Sequence, residues 1–135
     1  MKYLVIAGRM IFGGWMVYAG LNHWFHFTPQ PFGQNPVSIE FTTVLIESGL
    51  FDLVKAMETI TGALVLMGVF VPLALVAALP ISVVVAYFNL VLEHNGVVNY
   101  VAGTLVLGIN LLLMLAYVDS YRPLLRWKQP VAAGY

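Results

Sequence analysis

The chain has 135 residues, 61% of them hydrophobic and only 9% charged, with six Lys and Arg balanced by six Asp and Glu. A soluble domain of this length carries about 25% charged residues to cover its surface, so the solvent of this chain is lipid. With zero net charge and no cysteine, nucleic-acid binding, disulfides, thiolate metal sites and cysteine nucleophiles are excluded.

Hydropathy divides the chain into stretches close to the ~20 residues that a helix needs to cross a hydrocarbon layer. The first is 3–24. Arg9 interrupts what would be the apolar core of a signal peptide and no small-x-small cleavage site follows, so this stretch is read as a mature span. The connection after it, 25–52, is long. It opens on a run rich in proline and glycine, 28–36, which holds neither helix nor ladder. Ser38 then caps a short amphipathic helix with Phe41, Val44, Leu45 and Ser48 on one face and Gly49 as its stop. This helix is expected at the outer interface, with Glu40 and Glu47 toward water.

Spans two and three, 53–71 and 73–92, form a hairpin with Pro72 in the first turn of the third. Pro80 lies inside that third span and releases the carbonyl of Val76. A tight turn, 93–96, leads to the fourth span, 97–118, and a short basic tail closes the chain. Lys2 and Arg9 lie at the start, and Arg122, Arg126 and Lys128 follow the last span. The positive-inside rule therefore puts both termini in the cytoplasm, and Glu40, Glu47, Asp52 and Glu93 on the outer side. The reading is an all-α membrane protein: one four-transmembrane-helix bundle with a short amphipathic helix in its first outer loop.

Helical spacing gives each span one small and polar face. These faces are Arg9, Gly13, Met16, Gly20 and His23; Lys55, Glu58, Gly62 and Val69; Ser82, Ala86, Asn89 and Glu93; and Asn99, Gly103, Val106 and Asn110. An ionisable group inside a span costs roughly 2.5–3.5 kcal/mol, which makes Glu58 the most informative of them. Arg9 lies about 9 Å from the inner edge and Glu58 about 8 Å from the outer one. In a ~30 Å core that leaves roughly 13 Å between them, so no direct pair is expected. Arg9 instead snorkels inward or pairs with Asp119.

Glu58 is matched by depth with Lys55, His23, Asn89 and Asn99, with Glu93 and His94 at the rim above. Together these seven residues describe a polar pocket that opens outward. Three uses compete for it: a satisfied structural network, a proton, quinone or small-ligand site, and a bis-histidine haem held by His23 and His94. The haem has the least support, because nothing in the spacing fixes that geometry. No cofactor is therefore expected. His23 and His26 could ligate a metal, but no third ligand is forced and no metal site is read. No nucleophile–base pair or phosphate loop is discernible, so catalysis by this chain alone is not expected.

Several segments together resemble the DoxX-like family of small four-span bacterial membrane proteins. They are Arg9-Met10-Ile11-Phe12-Gly13, Gly20-Leu21-Asn22-His23-Trp24, and Lys55-Ala56-Met57-Glu58-Thr59-Ile60-Thr61-Gly62. Gly68-Val69-Phe70-Val71-Pro72, Ala78-Leu79-Pro80 and Tyr121-Arg122-Pro123 continue the likeness, which runs from about Val5 to Arg126. The resemblance implies a multi-pass protein of the bacterial inner membrane. Founding members of that family are associated with a quinone-linked membrane complex, and other relatives with redox or stress-related assemblies. It therefore implies an accessory or scaffold subunit of a larger complex, or a homo-oligomer. It carries over no catalytic residue.

Overall fold

The computed structural model describes residues 2–29, 33–93 and 96–132. Among them the chain is helical and has no strand. Helix α1 spans Lys2–Phe25, α2 Pro36–Ser48, α3 Leu50–Met67, α4 Val71–Tyr87 and α5 Val97–Ala116. A π-helical turn, Phe88–Leu92, prolongs α4, while α6 (Val118–Tyr121) and a 3-10 turn (Arg122–Leu125) follow α5.

Three helices are long and apolar enough to cross a membrane: α1, α4 with its π turn, and α5. The chain is a membrane protein on that ground. Helix α3 is 18 residues long but carries Asp52, Lys55 and Glu58, so composition alone does not qualify it. The four stretches read from the sequence correspond to α1, α3, α4 and α5, with one shift of note. The second begins at Leu50 and ends at Met67 rather than running over 53–71.

Glycine sets both ends of α3. Gly49 takes a left-handed φ of 82°, donates its N–H to the Ile46 carbonyl, and separates α2 from α3 by a single residue. Gly68, at φ 74°, closes α3 in the same way. Gly49 is thus the stop that the sequence suggests, but Ser38 is not the cap. Helix α2 starts at Pro36, whose fixed φ suits a first helical position, and Asn35 is its N-cap. Ser38 and Thr42 turn inward and are buried, whereas Phe41 and Val44 face outward. The small polar face lies inward because α2 lies close against α3 and the π turn.

The core draws on four helices: Phe12 and Met16 from α1, Val65 from α3, Ala74, Leu75 and Ala78 from α4, and Val106 and Leu113 from α5. Outside it, Ile11, Ile60, Leu73, Leu112 and Leu115 are exposed, while Lys55, Glu58, Ser82 and Asn110 are buried. That distribution inverts the soluble pattern and fits a lipid surround. Helix α1 packs most extensively on α3. A Cβ on Gly13 would lie 2.8 Å from the Gly62 carbonyl oxygen, and one on Gly62 only 2.7 Å from the Met16 Cβ. Small residues here let two backbones touch.

The adjacent glycine provides a control, since a Cβ on Gly14 would meet nothing within 4 Å. Gly13→Ala should therefore lower stability by about 1–3 kcal/mol through overpacking. Gly14→Ala should leave stability unchanged or raise it by less than about 1 kcal/mol. Thermal unfolding of the two variants in detergent measures the difference.

Candidate functional site

The polar residues singled out by helical spacing do lie inward, and among the described residues their hydrogen bonds form local pairs. Lys55 and Glu58, one turn apart on α3, form a buried ion pair in which Nζ donates to Oε2 at 3.2 Å. The Lys55 ammonium also lies 4.9 Å above the centre of the Phe51 ring. His23 meets the same ring edge-on at 5.0 Å, so Phe51 stands between His23 and the ion pair. His23 Nε2 is hydrogen-bonded to Asp52, on the first turn of α3. Asp52 is the partner that sequence reasoning missed. Its signal was present, since it lies three residues before Lys55 and shares that side of the helix.

Glu93 is buried, and its carboxylate is used to hold a loop. Oε1 accepts the backbone N–H groups of Gln34, at 2.6 Å, and Asn35, at 2.8 Å. These donors precede the first turn of α2, where the helix dipole favours an anion. Asn35 Nδ2 in turn donates to the Leu92 carbonyl, and Asn99 Nδ2 donates to the Glu93 backbone carbonyl at 2.9 Å. Glu93 and Asn99 are therefore neighbours, as expected. They join the first connection to the α4–α5 turn rather than to Glu58. Asn89 donates to the Val85 carbonyl of its own helix at 2.8 Å. His94 lies outside the described residues.

Two further sets of polar contacts lie elsewhere in the fold. Ser82 donates to Asn110 Oδ1 at 2.7 Å, and Asn110 Nδ2 donates to the Leu75 carbonyl at 3.2 Å. This fully buried bridge fixes α4 against α5 beside Pro80. At the end of α1, the Asn22 carboxamide oxygen accepts the Thr28 N–H at 2.7 Å and steadies the chain where it leaves the helix.

At the opposite end, Arg9 does not pair with Asp119, which binds Arg122 at 2.7 Å. Arg9 Nε donates instead to the Val65 carbonyl at 3.1 Å, close to the negative end of the α3 dipole. The backbone contact at Gly13 and Gly62 brings it within reach. Tyr121 donates its hydroxyl to the Pro72 carbonyl at 2.7 Å. Burial, with Tyr117 beside it, pushes the Tyr121 phenol above its ordinary value.

Among the described residues no three His, Cys, Asp or Glu side chains converge as metal ligands. Compared with known proteins, the chain matches no family model, no curated protein and no solved structure at a significant level.

The Lys55–Glu58 pair makes a direct prediction. Lys55→Met alone leaves a buried carboxylate without its cation and should cost about 3–5 kcal/mol. Adding Glu58→Leu should recover most of that loss, because a well-packed apolar pair replaces a buried ionic one at little cost. A double-mutant cycle read by denaturation in detergent checks it; additive losses would refute it.

Proposed function

We propose that this chain is a DoxX-like integral subunit of the bacterial inner membrane, with four spans and both termini cytoplasmic. It serves as an accessory or scaffold component of a larger, redox-linked membrane complex. The observation that carries the scaffold reading is the internal use of the buried polar side chains. Lys55 is spent on Glu58, Ser82 on Asn110, and the Glu93 carboxylate on a loop. What the helices offer to neighbours is apolar: Ile11, Ile60, Leu73, Val83, Leu105 and Leu112 all face outward. The redox link and the bacterial membrane come from the resemblance of the sequence.

Chain direction supports the fourth crossing. The N-terminal part of α1 and the start of α4 lie at the same end, since Arg9 bonds Val65 and packs against Gly68. The end of α1 and the start of α3 share the other end through His23 and Asp52. If α1 and α4 both cross, α3 is the segment that returns the chain between them.

A second reading, a quinone, proton or small-ligand site at Glu58, is favoured by one physical argument. A buried ion pair contributes little that apolar packing could not, so stability alone does not account for its presence. The two readings differ in outcome. A scaffold keeps its complex and activity in the Lys55→Met/Glu58→Leu variant, whereas a Glu58 site loses activity there while assembly survives.

Two measurements test the main reading. Extraction in mild detergent should recover the chain in a defined larger complex with other polypeptides, and recovery of free monomer alone would count against it. A green fluorescent protein fused to the C-terminus should fluoresce, and an alkaline phosphatase fused there should be inactive. The reverse would put the C-terminus outside and overturn the proposed orientation.

A further inference from the structure

Pairing leaves the cations unevenly matched. Lys55 is bound to Glu58 and Arg122 to Asp119. Arg9, Lys2, Arg126 and Lys128 have no carboxylate within 4 Å among the described residues. Arg9 differs from the other three in being built into the fold. Its Nε is fixed on the Val65 carbonyl, and its Nη2 lies against Gly68, in space that any side chain there would fill. A guanidinium has five N–H donors, and here a single hydrogen bond to the protein orients it. Arg9 is half-buried beside the α3–α4 turn, and neither terminal nitrogen is fully sealed from the surroundings.

The turn itself has two unusual features. Phe70 takes a left-handed φ of 50°, a conformation that costs a bulky residue energy. It nevertheless stands 67% exposed, with Met67 and Leu73 beside it at 65% and 66%. A cation edge flanked by outward apolar side chains complements the headgroup region of a bilayer, where phosphate lies above acyl chains.

We propose that Arg9 and the α3–α4 turn bind the phosphate of an anionic phospholipid in the inner leaflet. The guanidinium fork takes the phosphate oxygens, and Met67, Phe70 and Leu73 bed the turn among the acyl chains. Lys2, Arg126 and Lys128 add attraction for the same negative leaflet. The site rests on the orientation proposed above, and it requires only α1 and α4 to cross.

The test titrates purified protein with phosphatidylglycerol, phosphatidylcholine or inorganic phosphate and counts bound molecules by native mass spectrometry. Phosphatidylglycerol should be retained over phosphatidylcholine, and Arg9→Gln should weaken that retention about fivefold. Phe70→Gly keeps the fold testable if Arg9→Gln destabilises it, since glycine adopts the turn without strain. It should match or exceed the wild type in stability and still retain less phosphatidylglycerol. Equal retention of the two lipids, or retention unaffected by both substitutions, overturns the site. Displacement of phosphatidylglycerol by inorganic phosphate would make it a free-anion site and also overturn the proposal. Extraction of the chain from membranes by alkaline carbonate would sink the membrane reading itself. Carbonate-resistant protein whose lipid retention ignores Arg9 sinks this site alone, and the C-terminal reporters read the orientation separately.

Discussion

A polar side chain on a helix in hydrocarbon has no water to fall back on, so its partner has to lie within the protein. That constraint orders the interior of this molecule. The Lys55 ammonium turns to Glu58 one turn away, Ser82 to Asn110 across the α4–α5 contact, and Asn89 to its own backbone. Each polar group finds its partner on its own helix or on the helix packed beside it. A shared polar pocket would need those side chains to leave satisfied neighbours for more distant ones. The separation of the site into pairs is therefore what the lipid surround favours.

In lipid, helices gain nothing by hiding apolar surface from one another, so close backbone approach and hydrogen bonds hold them together. Between α1 and α3 the approach depends on Gly13, Gly20 and Gly62, where a Cβ would strike backbone or Met16. The rest of that helix pair follows from it. With the axes this close, Arg9 reaches the last turn of α3 and His23 reaches its first turn, so α1 is bonded to α3 near both ends. Between α4 and α5 the Ser82–Asn110 bridge does the equivalent work beside Pro80.

Much of this interior was legible in the sequence, because the spacing of small and polar residues follows the helical repeat. Gly13, Met16 and Gly20, Lys55, Glu58 and Gly62, Ser82 and Ala86, and Gly103, Val106 and Asn110 are all buried as that spacing implies. Partners were less legible, since periodicity gives a face and a depth but not the chain that folds over it. Starting α3 at Leu50 instead of Leu53 brings Asp52 into the helix, where His23 can reach it. The use of Glu93 depends on two backbone N–H groups of a loop, and such donors leave no signature in residue type. Ser38 has the chemistry of a cap, but Asn35 followed by Pro36 starts the helix earlier, because the residue before a proline is held extended. Val69 falls on the expected inner face yet is exposed, since α3 ends at Gly68 and the helical repeat does not extend past it.

Helix α3 carries three charged residues where α4 and α5 carry none, and its position in the chain explains how it can. From Val71 to Leu92 the next segment has no charged residue at all, and only Gly68, Val69 and Phe70 separate it from α3. On insertion scales, Lys or Asp at mid-membrane costs roughly 2.5–3.5 kcal/mol apiece, which disfavours α3 as an independent span. Paired as Lys55 and Glu58, the two charges cancel and share a hydrogen bond. On the four-span reading proposed above, α3, tied to α4 by so short a turn, enters the bilayer as one arm of a helical hairpin whose other arm is strongly apolar. Its charged face is then covered by α1, where the glycines permit contact. On this view α1 and α3 depend on each other: α3 is shielded by α1, and α1 is fixed at both ends by α3. Loosening the glycine contact would expose the ion pair to lipid and detach Arg9 and His23 from their partners together.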